Sequence, residues 1–210
     1  MPGQPGVSSY RQGPAMTMTE AAVRHSLRED ILGQTPGPVE AIYEFWVPKS
    51  NERADVAVIG AFMQGFEIKT DRDSLKRLPR QTEAYTRVFD RCHAVLAERH
   101  IDRALEMLPS WWGVLVIETD PCPSFRELRP AIVNEGVDAE VLVRLLWRDE
   151  VHAALCALGD TPDPRAGRFR MWELLLALLD MDGIKKVVRE ALLRRELTRA
   201  GTPAQRFAVN

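Results

Sequence analysis

The sequence has few cysteines, no long apolar run and no excess of charge of either sign. Its 210 residues include three cysteines, an odd number without a Cys-x-x-Cys pair. This argues against a disulfide framework and against a zinc site. The 28 Lys and Arg residues against 30 Asp and Glu residues give a net charge of −2. Bulk charge is therefore not expected to hold nucleic acid, although a local basic groove is compatible with this balance.

The sequence also has no segment of the kind that crosses a membrane or directs secretion. Apolar runs such as residues 174–179 are too short to cross a bilayer, and the N-terminus lacks the apolar region of a secretory signal. The sequence therefore predicts no membrane contact and a cytoplasmic location. Apolar residues make up 45% of the chain, which is enough for one core. Residues 1–18, which are rich in Gly, Pro, Ser and Gln, are expected to form a disordered tail.

Apolar periodicity over residues 19–118 predicts an α/β fold. Short β-branched and aromatic runs joined by polar turns indicate strands, and apolar residues at helical spacing lie before and between them. Strand–helix–strand units in the second half favour a mixed sheet with helices on its faces. The expected order is a helix over 19–33, strands over 42–47, 54–59 and 65–69, a helix over 73–89, a strand over 92–97, a helix over 101–108 and a strand over 112–117.

The last third of the chain has a different composition. Residues 120–136 are proline-rich and are predicted to be a connection. Two helical stretches follow, over residues 138–158 and 170–196. They predict a helical extension over residues 119–210, which would be either a small separate domain or a layer packed on the first part.

Three side chains carry the strongest chemical signal. Glu67 and Lys69 lie two residues apart on one predicted strand and so share a face, and Asp55 lies on the neighbouring strand of a short hairpin. Two carboxylates at one spot make a hard oxygen site that suits Mg²⁺ or Mn²⁺. Such a metal activates water and neutralises charge on a phosphate oxygen, and the lysine can stabilise the same charge. The alternative is a solvated strand face with a cross-strand charge pair, because Glu-x-Lys is common by chance.

These residues, in this order of elements, carry a family resemblance. Asp55 followed by Glu67-Ile68-Lys69 resembles the PD-(D/E)xK nuclease superfamily, although Ala54 stands where that motif has proline. Gln81 and Tyr85, four residues apart, look like the QxxxY motif of its exonuclease branch. The segment 65–90 is similar to small stand-alone bacterial proteins of the superfamily. The resemblance covers about residues 19–118 and implies a restriction-endonuclease-like mixed sheet.

The resemblance also implies roles for individual residues. Asp55, Glu67 and the carbonyl oxygen of Ile68 would bind the metal, and Lys69 would position the attacking water. The superfamily often adds a glutamate from the first helix or first strand, for which Glu44 is the first choice and Glu29 and Glu40 are weaker ones. Gln81 and Tyr85 would contact substrate phosphates or hold the other site residues in place. Apart from the resemblance, Arg77 belongs to a local basic cluster that would bind the nucleic-acid backbone of the substrate. The alternative interpretation makes Tyr85 a core residue, Gln81 its solvated neighbour, each glutamate a surface residue, and Arg77 part of a charged helix face.

The sequence thus predicts a metal-dependent nuclease that uses Mg²⁺ or Mn²⁺ and acts on DNA. Two alternatives stay open: a nuclease specific for RNA or for a branched or free-ended structure, and a non-catalytic module that keeps the fold and binds nucleic acid or a protein. A third class is a helical interaction protein that depends on the C-terminal third. Many members of the superfamily act as dimers, which leaves a homodimer open.

Overall fold

The computed structural model describes residues 19–35, 37–119, 122–163 and 165–201, so the predicted tail over residues 1–18 lies outside the described residues. The described chain has the expected α/β fold, with a mixed sheet, flanking helices and a helical C-terminal part. The helices and strands are α1 (Glu20–Gln34), β1 (Glu40–Trp46), β2 (Arg53–Ile59), β3 (Met63–Lys69), α2 (Leu78–Thr86), β4 (Arg91–Leu96), α3 (Ile101–Met107), β5 (Gly113–Glu118), β6 (Ser124–Arg129), α4 (Ala139–Leu142), α5 (Arg148–Ala157), α6 (Arg168–Leu178) and α7 (Met181–Gly201).

The six strands lie in the sheet in the order in which they occur in the sequence, β1 to β6. β1 pairs antiparallel with β2, β2 with β3, and β5 with β6. β3 and β4 are parallel, as are β4 and β5, and their connections run through α2 and α3. β1 and β6 are therefore the two edges of the described sheet.

α1 covers one face of the sheet. Val23 and Leu27 are fully buried and pack in one cluster with strand residues such as Val56 and Phe66. Thr19 caps the helix, since its Oγ1 accepts a hydrogen bond from the Ala22 N–H at 3.2 Å. The capped end carries Glu20, and this end of α1 lies beside the start of β2.

α2 and the C-terminal helices cover the other face and share one core. Tyr85 of α2 stacks on Trp112 with ring centres 5.7 Å apart and meets Phe89 edge-on at 5.4 Å. Leu155 and Ile184, from α5 and α7, are fully buried in the same cluster. The helical extension is therefore a layer packed on the sheet, which decides between the two arrangements that the sequence left open.

One buried ion pair fixes α7 to the sheet. Asp90, which is 3% exposed, accepts a hydrogen bond from the Met63 N–H at 2.8 Å. Its other oxygen lies 2.7 Å from the Lys185 ammonium of α7, and Arg189 lies 3.9 Å from the oxygen that accepts from Met63. A buried carboxylate needs such partners, so α7 completes the environment of Asp90.

The prediction that residues 120–136 form only a connection is wrong over Ser124–Arg129, which is β6. Of its six residues only Phe125 and Leu128 are apolar, and neither face of this edge strand is buried, so no alternating pattern is required. β6 lies beyond residue 118, the expected end of the core, and pairs with β5 in the same sheet.

Each of the two long C-terminal helices predicted from periodicity is divided in two. The backbone is extended at Leu146 and Trp147, and α5 begins there with the Glu150 carboxylate accepting from the Trp147 N–H at 2.7 Å. It is extended again at Leu179, and Asp180 then caps α7 by accepting from the Gly183 N–H at 2.9 Å. The apolar periodicity continues through both breaks, which is why the sequence did not show them.

Candidate active site

The predicted chemical residues meet where β2 begins and β3 ends. Val56 is paired with Phe66, and beyond this pair the two strands separate, so that Asp55 and Glu67 face each other across the gap. Asp55 Oδ2 accepts a hydrogen bond from the Ile68 N–H at 2.7 Å, and Lys69 Nζ lies 2.6 Å from Glu67 Oε1. The structure thus brings together all four residues of the Asp…Glu-x-Lys pattern, as the strand spacing predicted.

Glu67 is held on two sides. It is 1% exposed; one oxygen accepts from Lys69, and the other lies 2.5 Å from the Tyr85 hydroxyl. That hydroxyl is also 2.7 Å from the Arg53 carbonyl oxygen. Burial raises the pKa of Glu67. The charge and hydrogen bond of Lys69 oppose this rise, as do the hydrogen bonds from Tyr85 and Gln81. Glu67 is therefore a fixed carboxylate rather than a solvated surface group.

Asp55 is largely buried next to a second carboxylate, and little positive charge lies near it. Burial, and then repulsion by the Glu67 carboxylate, raise the pKa of Asp55 to about 7, against the opposing effects of the Ile68 N–H and Lys69. Two facing carboxylates with one ammonium between them leave an excess of negative charge at the end of the sheet. Such a site favours a further cation.

A third and a fourth carboxylate complete the acidic group. Carboxylate oxygens of Glu20, Glu44 and Asp55 all lie within 4.8 Å of one another. Arg24 pairs with Glu20 and, at 2.8 Å, with Glu44. The four carboxylates of Glu20, Glu44, Asp55 and Glu67 line an open cavity of about 400 Å³, and the cavity is also lined by Asn51, Arg53, Ile68, Lys69, Asp73, Arg77 and Gln81.

Comparison with known families places the chain. Residues 19–200 match the family described as bacteriophage P4 protein cII. The chain belongs to this family. Protein cII of Enterobacteria phage P4 is 26% identical over 155 residues, which are 73% of this chain and 58% of that protein. The chain therefore spans less than two thirds of the length of this curated relative.

A solved structure from Silicibacter pomeroyi, of a protein of unknown function, is similar to 90% of this cII-family chain and 96% of its own chain, with a TM-score of 0.43 and 14% identity. Neither this match nor the family match carries the PD-(D/E)xK name, and that resemblance stays a prediction. Among the described residues no helix of this cII-family chain has the length and apolar content that a bilayer crossing requires.

In this cII-family chain Glu44 has an unusual backbone. Its φ is +50°, in the left-handed region that non-glycine residues rarely adopt, at a cost of about 1–3 kcal/mol. Tyr43 pairs with Val56 and Phe45 with Ala54, so the β1–β2 register leaves out Glu44 together with Asp55. The distortion places the Glu44 carboxylate beside Asp55. Glu44 was the preferred supporting glutamate, and the structure places it at the site.

The other supporting glutamates differ from the prediction. Glu40 lies at the opposite end of β1, where it pairs with Ile59, and Glu29 forms an ion pair with Arg28 at 2.7 Å. Glu20 was not predicted, although it is the contribution from the first helix that the resemblance anticipates. Its only signal in the sequence is its position directly after the capping residue Thr19.

The three predicted substrate contacts lie at different depths. Tyr85 is fully buried behind Glu67, where it positions that carboxylate and does not reach the cavity surface. Gln81 is 2% exposed and lines the cavity, and its Oε1 has no hydrogen-bond partner among the described residues. Arg77 lines the cavity mouth with its side chain 56% exposed and donates to the buried Glu52 at 2.6 Å. Gln81 is thus not the solvated neighbour of the alternative interpretation.

Proposed function

We propose that this cII-family chain is a metal-dependent nuclease of the PD-(D/E)xK type that hydrolyses phosphodiester bonds in DNA. One observation carries the proposal: Asp55, Glu67 and Lys69 converge on a single open cavity at the end of the sheet, with the Ile68 backbone between them. Burying a lysine ammonium destabilises the folded chain unless an opposite charge compensates it. Here the ammonium is compensated by Glu67 and lines the cavity together with Asp55.

The donor set fits Mg²⁺ or Mn²⁺. Both ions prefer oxygen ligands, and the cavity offers Asp55, Glu67 and the Ile68 carbonyl, with Glu44 and Glu20 next to Asp55. The Glu67 oxygens already accept one hydrogen bond each, but each has a second lone pair for a cation. A divalent ion would also offset the repulsion between Asp55 and Glu67. When bound, it supplies Lewis-acid activation of water and of the phosphate.

The remaining residues then have definite roles. Lys69 donates hydrogen bonds towards the attacking water and the developing charge on the phosphate oxygens. Tyr85 fixes the orientation of the Glu67 carboxylate from behind. The guanidinium groups of Arg53 and Arg77, at the cavity wall, hold the flanking phosphates.

The test is a cleavage assay with Mg²⁺ and Mn²⁺ on single-stranded DNA, linear and circular duplex DNA, and RNA. Lys69→Ala and Asp55→Ala should each lower the cleavage rate by about a hundredfold or more. Lys76→Ala, which removes an exposed lysine outside the cavity, serves as the matched control and should cleave as the wild type does.

Thermal unfolding with and without Mn²⁺ belongs to the same experiment, because bound metal stabilises the folded chain. A wild-type chain that neither cleaves nor gains melting temperature with Mn²⁺ would exclude the catalytic proposal and leave the non-catalytic module. Faster cleavage of RNA than of DNA would make the chain a ribonuclease. Cleavage of circular as well as linear duplex DNA would indicate an endonuclease, and cleavage of linear duplex DNA alone would indicate an exonuclease.

A further inference from the structure

A second pocket, which the proposed mechanism does not use, lies on the edge strand β1. It has a volume of about 440 Å³ and is enclosed by β1 on one side and the C-terminal helices on the other. Seven of its residues are aromatic or basic. Leaving out the buried Phe45, we refer to the other six as the aromatic–arginine pocket: Tyr43, Trp46, Arg144, Trp147, Arg168 and Arg195. Glu44 lines both this pocket and the candidate active site, so the two cavities are neighbours.

The aromatic side chains of this pocket are unusually exposed. Trp46 is 51% exposed and Trp147 54%, and Tyr43 beside them is 39% exposed. Large aromatic surfaces in contact with water are typical of binding sites, and indole faces are the surfaces on which unpaired bases stack. Arg195 lies 4.0 Å over the Trp147 ring and is itself tied to Glu150, so the position of Trp147 is fixed.

Two arginines of the pocket lie close together. Arg144 and Arg168 lie 5.1 Å and 4.9 Å from the ring centre of the same indole, Trp172, which places the two cations within about 10 Å of each other. Among the described residues neither has a carboxylate partner, and Arg144 Nε is buried without a hydrogen bond. Two carboxylates line the pocket as well, Glu44 and Glu196, but Glu44 pairs with Arg24. A guanidinium that lies over an indole can still donate N–H groups to a phosphate.

These features favour one ligand. Stacking on Trp46 and Trp147 requires bases whose faces are open, which a duplex does not offer and a single strand does. The two neighbouring arginines, Arg144 and Arg168, can donate hydrogen bonds to its phosphates. Because Glu44 borders both cavities, a strand bound in the pocket would lie next to the acidic site.

We propose that the aromatic–arginine pocket binds an unpaired strand of DNA next to the phosphate that is cleaved. This inference rests on the proposed function, from which the choice of DNA is taken. The chain would accordingly act on single strands, frayed ends or flaps rather than on uninterrupted duplex.

The test measures binding without cleavage. Fluorescence anisotropy in EDTA would compare a fluorescein-labelled 12-nucleotide DNA strand, a hairpin duplex and an RNA of the same sequence. The wild-type chain should bind the DNA strand at least tenfold more tightly than the hairpin. Trp46→Ala, Trp147→Ala and the double variant Arg144→Gln/Arg168→Gln should each weaken this binding about tenfold, and the last should also reduce the salt dependence.

The controls separate binding from folding. Phe62→Ala removes a 38% exposed aromatic at the β2–β3 turn, and Arg170→Gln removes an exposed arginine of α6 that pairs with Glu173. Both should bind the strand within twofold of wild type. Trp147→Phe keeps an aromatic face and should recover part of what Trp147→Ala loses, which a general loss of folding would not show.

Several results would overturn the proposal. They are tighter binding of the hairpin or of the RNA, unchanged binding by the pocket variants, or a dimer in light scattering that the tryptophan variants convert to monomer without any change in DNA binding. The proposed function fails separately. Lys69→Ala should bind as wild type does but not cleave, so a chain that binds the strand and never cleaves overturns the nuclease and leaves the pocket.

Discussion

Replacing Asp55 by asparagine should stabilise the metal-free chain at neutral and alkaline pH. Burial and the facing Glu67 raise the pKa of Asp55 to about 7, so the ionised form is disfavoured in the folded state. Asparagine keeps an oxygen that accepts the Ile68 N–H and removes the charge. The substitution thus separates the electrostatic cost of the carboxylate from its hydrogen bond.

The magnitude follows from the difference between the folded and unfolded pKa. A value near 7 against the ordinary 3.8 corresponds to about 4 kcal/mol once the carboxyl is ionised in both states. Asp55 keeps some contact with water, so we expect about 1–3 kcal/mol. The folded chain binds the extra proton between pH 4 and 7. The contribution of Asp55 to stability is therefore largest below pH 4 and is lost as the pH rises to 7.

The assay is urea unfolding of the wild-type chain and Asp55→Asn in EDTA at pH 5, 6, 7 and 8. The variant should gain stability relative to wild type as the pH rises, with the full difference reached by pH 8. Asp138→Asn is a control of opposite sign. Burial raises the pKa of Asp138, but the hydrogen bond and charge of Arg87, together with the backbone N–H groups of Val141 and Glu140, lower it below its usual value. That variant should be less stable than wild type at pH 8. A stability difference between Asp55→Asn and wild type that is no larger at pH 8 than at pH 5 would refute the reasoning.

Three further substitutions test the structure around the site. Tyr85→Phe removes a hydrogen bond to a buried carboxylate and should cost about 1.5–3 kcal/mol in urea unfolding; an unchanged midpoint would mean that the hydroxyl is not bonded there. Lys185→Met leaves the buried Asp90 with the more distant Arg189 guanidinium as its cationic partner, and it should cost about 3 kcal/mol by the same measurement. A loss of less than about 1 kcal/mol would contradict the anchoring of α7 by this ion pair. Gly65→Ala would bring a Cβ within 2.5 Å of the Phe89 ring, so its melting temperature should fall by several degrees, and a stable variant would show that the ring moves freely.

Much of the fold could be predicted because its signals are local. β2 and β3 are apolar runs bounded by turns, and their adjacency follows from the short turn between them. The same adjacency predicts, from the sequence alone, that Asp55, Glu67 and Lys69 lie close together. β6 could not be found in this way, since an edge strand with two apolar residues carries no clear period.

The rest of the site depends on contacts between elements that are far apart in sequence. Glu20 reaches Asp55 only because Val23 and Leu27 seat α1 on the sheet, and no spacing along the chain encodes that distance. The left-handed backbone at Glu44 is likewise a property of the β1–β2 pairing. Sequence patterns therefore located the central residues, and tertiary packing added their partners.

The order of the strands has a consequence for how the chain folds. Because the spatial order β1 to β6 repeats the sequence order, each strand can add to an edge already present as the polypeptide leaves the ribosome. α7, the last of the described helices, returns to the middle of the sheet, where Lys185 meets Asp90. Until then Asp90 is a carboxylate without its counter-ion. A nascent chain that has not yet reached α7 therefore leaves this acid uncompensated.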